Sequence, residues 1–224
     1  MKPTVLIFVL FLCLQTTAQT IGVNLGAGYG RFYSLVNSDG FFNKEFEGQT
    51  TFCFGIECKD IKIDSFFRFK FIVGFEQYGG SFFERDGGHA SQKTEKGKLT
   101  KNSLSLQVYP LDFNFFKHAT FSLGLAFNFS LPSRLEGEMS SWYAQLNPPD
   151  IVSSKVPLDQ IDGFLRPFNL GVVSSLGYEF VFGKWILEPR YNFHLGLTDE
   201  FNKLEANTKS IRQSLTISLL RKIK

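Results

Sequence analysis

The most constraining feature of this sequence is a strict two-residue alternation of large apolar side chains with small or polar ones. Between residues 121 and 131 every second residue is Phe or Leu, and the residues between them are Ser, Gly, Ala and Asn. The same alternation runs through 67–75 and 185–197. Successive side chains of a strand point to opposite faces, whereas a helix would scatter these residues around its circumference. The pattern therefore predicts β-strands with one apolar face.

Eight segments carry this alternation, and we predict a strand for each. They are 20–35, 49–59, 66–83, 102–111, 118–131, 167–181, 185–197 and 209–223. The intervening segments, which are 36–48, 60–65, 84–101, 112–117, 132–166, 182–184 and 198–208, alternate between long and short. Tight turns at one end and long loops at the other are typical of transmembrane barrels. The proline-containing segment 132–166 is expected to be a long outer loop without clear secondary structure.

The faces of the strands favour lipid outside and polar groups inside. The chain has 27 Phe and 20 Gly, and most of the rings share one face, opposite Gly, Ser and charged residues. A soluble sandwich or lipocalin-like barrel, the alternative, would have to pack the rings of all eight strands into one core. The small face suits the narrow interior of eight strands, and closure satisfies the backbone in lipid. The sequence thus predicts an all-β fold, an eight-stranded antiparallel up-and-down transmembrane β-barrel.

Aromatic residues near the strand ends are expected to form girdles at the two membrane surfaces. We assign Tyr33 and Tyr78 to one rim, and Trp185 and Phe182 to the other.

The N-terminus has the features of a secretory signal peptide. Lys2 precedes an apolar run at 5–14, and small residues allow cleavage between Ala18 and Gln19. A run of about 10 residues is the length of a signal-peptide core and is too short for a membrane anchor. We therefore predict a signal peptide at 1–18 and a barrel domain at 19–224.

Four short motifs give the chain a resemblance to a known family. They are GVNLGAG at 22–28, VYPL at 108–111, PRY at 189–191 and GLTD at 196–199. With these motifs the chain resembles the PorT-family outer-membrane β-barrel proteins, small OmpX/OmpA-like barrels of Gram-negative bacteria. The C-terminal residues 219–224 lack the terminal aromatic that many such barrels use for assembly. The resemblance implies location in the bacterial outer membrane and, for some members, a link to protein secretion.

Charged residues of both signs fall on the face predicted to line the barrel. They are Glu57, Arg68, Lys70, Glu76, Glu179, Glu188 and Arg190. One interpretation is a proton path, a small channel or a ligand site. The other is a mutually paired polar plug, since charges in a narrow lumen need partners. We expect the plug and no open pore, because eight strands leave room only for side chains.

The sequence gives little support for a catalytic, metal-binding or cofactor-binding site. Of the histidines, His89 lies in a long connection and His118 at a short turn, so His194 is the one plausible general base. A lone inward histidine is more often a hydrogen-bonded lumen residue, and we predict no enzyme, with lipid-modifying activity left open. Cys53 and Cys58 have opposite parity and cannot form a zinc clamp or disulfide. We predict no cofactor and no metal.

The expected partners follow from the predicted location. Lys and Arg number 24 against 21 Asp and Glu, which does not favour nucleic acid. We expect contact with outer-membrane lipid and lipopolysaccharide, and a protein partner on loop 132–166, which contains Met139, Trp142 and Tyr143. The predicted function is a structural or surface-interaction barrel. The alternative is a narrow transporter, a secretion-associated barrel or a lipid-active enzyme.

Overall fold

The computed structural model describes residues 20–34, 42–62, 68–87, 91–116, 118–146, 149–157, 163–202 and 208–223. Within these ranges the side chains of 42–44, 61, 62, 68, 86, 144–146 and 149–154 are not described. The strands are β1 (Thr20–Ser34), β2 (Phe42–Lys62), β3 (Arg68–Gly87), β4 (Ser91–Phe115), β5 (Ala119–Ser130), β6 (Arg134–Leu146), β7 (Pro149–Pro157), β8 (Phe168–Tyr178), β9 (Phe180–Phe182), β10 (Trp185–Gly196) and β11 (Thr208–Lys222). No helix in this part of the chain is long and apolar enough to span a membrane.

Eight of these strands form a closed ring. Pairing runs β1–β2–β3–β4–β5–β8–β10–β11, and β11 pairs again with β1. Every pairing is antiparallel, and β9 extends the line of β8 along β10. The predicted all-β, eight-stranded antiparallel barrel is confirmed. We call the end with connections 63–67, 116–118 and 183–184 the turn end.

At the opposite end, three strands leave the ring and continue into a second sheet. There β2 pairs with β3 over 42–48, β3 with β4 over 92–98, β4 with β6, and β6 with β7. We call these five strand segments the projecting sheet, and the barrel end beneath them the sheet end. One face of this sheet covers a buried cluster of Phe32, Phe82, Leu99, Phe164 and Phe201, with Phe46, Leu135, Met139 and Leu165 packed against it.

Two predicted loops prove wrong as a result. The segment 132–166 contains β6 and β7, and most of 84–101 belongs to β3 and β4, which only 88–90 separate. Likewise β2 begins at Phe42 rather than 49, and β4 runs to Phe115. Polarity suggested loops, but a sheet with solvent on one face tolerates polar residues wherever a neighbouring strand satisfies its backbone.

The predicted faces of the barrel strands are confirmed by burial. Leu25 is 68% exposed and Phe54 56%, whereas Glu57 is fully buried inside. The apolar outer residues recur on all eight strands and form what we call the apolar band. One girdle residue is wrong: Tyr78 is buried in the barrel, because it shares the parity of Glu76. Trp185 and Phe182 are exposed at the turn end, and Tyr33 donates its hydroxyl to the Gly196 carbonyl at 3.0 Å.

Candidate functional site

The barrel interior is the candidate functional site, because it holds the predicted polar residues. Glu57, Lys70, Glu188 and Arg190 are buried there, with Glu179 at its edge. Glu76 also points inward but lies further toward the sheet end. The charged groups form two clusters rather than one continuous set.

The first group, which we call the turn-end cluster, contains four acids and three bases, which are Glu57, Asp112, Glu179, Glu188, Lys59, Lys70 and Arg190. Arg190 pairs with Glu57 through both terminal guanidinium nitrogens, one of them at 2.8 Å from Oε1. Ser218 completes the site by donating to Glu57 at 2.7 Å. A Cβ on Gly177 would lie 2.5 Å from Cγ of Arg190, so the glycine leaves the space that the arginine occupies. This bidentate pair is fixed in geometry and fully enclosed.

Lys59 joins the remaining acids of the turn-end cluster. Its ammonium contacts the carboxylate of Glu179 and lies 3.2 Å from Oε2 of Glu188. Thr120 donates to the other oxygen of Glu188 at 2.8 Å. Each acid therefore has a cation or a hydroxyl as partner, which is what a buried carboxylate requires.

Lys70 forms a separate branch of the same cluster. Its ammonium lies 2.5 Å from Oγ of Ser122, which donates to Asp112, and 4.2 Å from the ring centroid of Tyr109. A lysine beside a serine is also a possible nucleophile pair. Here both side chains are completely buried and Oγ is bonded to a carboxylate, so the arrangement is structural.

An apolar layer lies above Lys70 on one side of the lumen. It consists of Ile72, Tyr109, Ala126 and Val173, from β3, β4, β5 and β8. On the other side, Asn192 lies between Arg190 and His194 along β10 and donates to Thr216 at 2.9 Å. Side chains therefore fill the middle of the barrel.

The second group, the sheet-end cluster, is centred on Arg212. Arg212 pairs with Glu76 and stacks over Tyr78, with 4.1 Å between the guanidinium carbon and the ring centroid. Gln107 donates to Glu76 at 2.6 Å. The tyrosine hydroxyl in turn donates to Glu200, at 3.1 Å from Oε2.

Glu200 belongs to the connection after β10 and closes the barrel mouth. Lys101 lies 2.7 Å from its Oε2, and the next residue, Phe201, enters the apolar cluster under the projecting sheet. Burial by itself would raise the pKa of the Glu200 carboxyl, but the Lys101 ammonium and its hydrogen bond hold that pKa below its ordinary range. The connection is thus fixed by an ion pair and by apolar packing together.

His194, the one plausible base from sequence, is enclosed in this cluster. The Nε of Arg212 donates to its Nδ1 at 3.2 Å, and Asn128 lies 3.5 Å from Nε2. A Cβ on Gly171 would meet the imidazole at 2.5 Å. A histidine held between an arginine and a glycine backbone has no free nitrogen turned toward lipid or solvent, which favours a structural role.

A small cavity remains beside the sheet-end cluster. It has a volume of about 50 Å³ and is lined by Asn24, Glu76, Tyr78, Ser105, His194 and Arg212 among others. Ser105 Oγ is buried there without a protein hydrogen-bond partner. A water needs at least about 10–15 Å³, so the space suits a few waters rather than a solute path. Among the described residues, no group of three His, Cys, Asp or Glu is placed to hold a metal.

Sequence reasoning missed several charged residues of the interior. Lys59 and Arg212 share the parity of the predicted inward residues, so the alternation itself could have found them. Asp112 is turned inward by the irregular pairing between Val108 and Leu111, which shifts the parity of β4. Glu200 lies outside any strand and had no sequence signal.

Other predicted residues lie outside the described part of the chain. The signal peptide with Ala18 and Gln19, and His89, belong to undescribed segments, and the side chain of Arg68 is not described. Cys53 lines the cavity, while Cys58 packs with Ile21, Phe69 and Phe71.

Comparison with known proteins gives structural likenesses at low identity. No family model matches the chain, and no curated protein matches it. Among solved structures it is similar to Ail, the attachment invasion locus protein of Yersinia pestis, with 11% identity over 91% of this chain and 99% of that chain and a TM-score of 0.39. It is also similar to Neisserial surface protein A, with 14% identity over 91% and 97% and a TM-score of 0.44. The outer membrane protease OmpT from Escherichia coli shows 9% identity over 93% and 98%, with a TM-score of 0.35. The assignment of an eight-stranded barrel rests on the strand pairing of this chain itself.

Proposed function

We propose that this chain is an integral β-barrel protein of the bacterial outer membrane, closed to bulk solutes, whose projecting sheet presents an interaction surface outside the cell. The observation that carries the proposal is an inversion of polarity along continuous strands. Within the ring the apolar side chains point out and the polar ones in. Just beyond the ring the same strands turn Phe82 and Leu99 inward and polar residues outward, while further along the inner face also holds the buried carboxylates of Glu84 and Glu95.

The inversion is clearest on β3 and β4. On β3 the outward residues change from Phe75 to Gln77, and the inward residues change from Glu76 to Phe82. On β4 the outward residues change from Leu104 to the exposed Lys98. A protein in one solvent has no reason to exchange its faces partway along a strand. A strand that leaves lipid for water must do so, because the apolar face has to be buried only in water.

The height of the apolar band agrees with a membrane. On β1 the outward residues from Ile21 to Tyr29 cover about 26 Å at ~3.3 Å per residue, or about 20 Å after a strand tilt of about 40°. Outer-membrane barrels have an apolar band of about 25 Å. The closed ring leaves no backbone edge within this band.

The paired interior supports a closed barrel rather than a channel. The turn-end cluster, the apolar layer and the sheet-end cluster fill the lumen, and the cavity beside the sheet-end cluster is about 50 Å³. Purified protein in a planar lipid bilayer should therefore show no steady conductance. Large ohmic current steps, reproduced with protein that migrates faster on a gel when unboiled than when boiled, would contradict closure while leaving the barrel intact.

Orientation and membrane placement can be tested on intact cells. In a variant whose native cysteines are replaced, one cysteine is introduced at exposed Lys96 of the projecting sheet or at exposed Lys184 of the turn end. A membrane-impermeant maleimide should label Lys96→Cys on intact cells, and Lys184→Cys only after the outer membrane is opened. Equal labelling of both, or recovery of the protein in the soluble fraction, would refute the proposal.

Two finer assignments belong to this proposal. The PorT-like motifs support a secretion-associated barrel as the alternative role. For a lipid-active enzyme the supporting observation would be a base near the rim, and the enclosure of His194 by Arg212 argues against it. Turnover of lipid A or phospholipid by the purified protein, lost in His194→Ala, would reverse that judgement.

A further inference from the structure

We propose that Arg31 and Lys209 form a binding site for the phosphorylated headgroup of an outer-leaflet lipid. The inference rests on the proposed membrane placement and goes beyond it by naming a site and a ligand class. Both residues point outward, on the wall formed by β1 and β11, just above the apolar band.

The strand register brings the two cations together. Arg31 pairs with Ile211 and Tyr33 pairs with Lys209, so the two cations occupy diagonal positions on the outer face. Diagonal neighbours of an antiparallel pair lie roughly 7–8 Å apart, within reach of long side chains. A single phosphate can contact both.

Arg31 and Lys209 lie just beyond the apolar band along the barrel axis, at the level expected for lipid headgroups. Below Arg31 on β1 the outward residues are Tyr29, Ala27, Leu25 and Val23. Below Lys209 on β11 they are Ile211, Gln213, Leu215 and Ile217, and the exposed Gln213 accepts a hydrogen bond from the Tyr191 hydroxyl. Phe32, the inward neighbour of Arg31, already belongs to the apolar cluster under the projecting sheet. The outer face therefore changes from apolar to polar residues between Tyr29 and Arg31 on β1 and between Leu215 and Lys209 on β11.

The charges of Arg31 and Lys209 are not neutralised within the described part of the chain. Neither forms an ion pair with a carboxylate there, and Arg31 is exposed. Lys98 and Lys96 of the projecting sheet form no ion pair in the described residues either, but each lies directly across from a carboxylate residue of β6, Glu136 and Glu138 respectively. Two uncompensated cations beside an apolar surface complement a lipid with an anionic head and acyl chains.

Two hydrogen-bonded tyrosines lie next to the two cations. The hydroxyl of Tyr29 accepts a hydrogen bond from the Gly48 amide at 3.1 Å, and Tyr33 is tied to Gly196 at 3.0 Å. Tyrosine at this depth offers an apolar ring to the acyl chains and a polar tip to the headgroup region. Arg31 therefore lies between two hydrogen-bonded tyrosines along β1, and Lys209 lies directly across from the second of them.

The test measures lipid A retained by the full-length barrel. Wild type, Arg31→Gln with Lys209→Gln, and the charge-matched control Lys96→Gln with Lys98→Gln are purified in a neutral detergent. Each is incubated with lipid A or with dephosphorylated lipid A, and the bound lipid is counted by native mass spectrometry. We expect wild type and control to retain lipid A and to discriminate against the dephosphorylated form. The double variant should bind lipid A roughly 30-fold more weakly, a factor of about five for each cation.

Three outcomes would overturn the site. The double variant could retain lipid A like wild type, the control could lose it equally, or millimolar inorganic phosphate could displace it, which would indicate a site for free phosphate. Heat-modifiable migration of the same samples shows whether each variant is folded. If wild type itself is neither heat-modifiable nor in the membrane fraction, the proposed function fails instead, and the two failures are thereby distinguished.

Discussion

The barrel and the projecting sheet are built from the same strands and solve opposite problems. Inside the barrel, β3 contributes Lys70 and Glu76 to buried ion pairs and turns Phe71 and Phe75 outward. Only a few residues later the same strand buries Phe82 against Phe201, with 5.1 Å between ring centroids. The comparison teaches that alternation gives a strand two faces, and that the surrounding solvent decides which face is buried.

The energetic consequence is different for a charge in each region. In the barrel interior an ion pair is enclosed by other side chains. A charge that loses its partner there is therefore not solvated by water. On the solvent-facing side of the projecting sheet an ion pair such as Arg134–Glu136 is solvated and contributes little. Substitutions of the same chemical kind should therefore have very different effects in the two regions.

The largest effect is expected for the buried pair of the turn-end cluster. Arg190→Ala leaves the Glu57 carboxylate enclosed with Ser218 alone and should lower the free energy of unfolding by about 3–5 kcal/mol. The measurement is urea unfolding of protein folded into lipid vesicles. The control is Arg190→Met combined with Glu57→Leu, which removes both charges and should restore most of the stability. A single variant as stable as wild type would show that water reaches this cluster.

The second-largest change in the free energy of unfolding is expected for a charge introduced into the apolar band. Leu25 is 68% exposed at mid-height, so Leu25→Lys would be nearly neutral on a soluble protein. In a bilayer the same change should cost about 2–4 kcal/mol, because the ammonium must be placed in lipid. Thr94→Lys, on the aqueous part of β4, serves as the control and should change the unfolding free energy by less than about 0.5 kcal/mol. If both substitutions changed the unfolding free energy equally, the apolar band and the projecting sheet would be in the same solvent, which would contradict the proposal.

The smallest effect is expected for an ion pair on the projecting sheet. Arg134 and Glu136 pair while their side chains are 80% and 51% exposed. Arg134→Gln should change the unfolding free energy by less than about 0.5 kcal/mol, measured in the same vesicle assay. A loss comparable to that of Arg190→Ala would mean that this surface is covered in the membrane-bound protein.

The sequence predicted the ring and much of its interior, and its failures have physical causes. Parity alone placed Glu57, Lys70 and Arg190 inside, because a strand repeats every two residues. Tyr78 was assigned to a girdle by residue type although its parity placed it inside. The hairpin of β6 and β7 was missed because its sequence is polar, and its pairing partner on β4 lies far away along the chain.

By itself the sequence determined how many strands cross the barrel and which face of each is apolar, since both depend on local alternation and on turns. The tertiary structure decided which charges pair, that three strands continue into a second sheet, and that the connection with Glu200 and Phe201 closes the mouth. Those features depend on contacts between residues distant in the chain. Glu57 and Arg190 are 133 positions apart, and only ring closure brings them together.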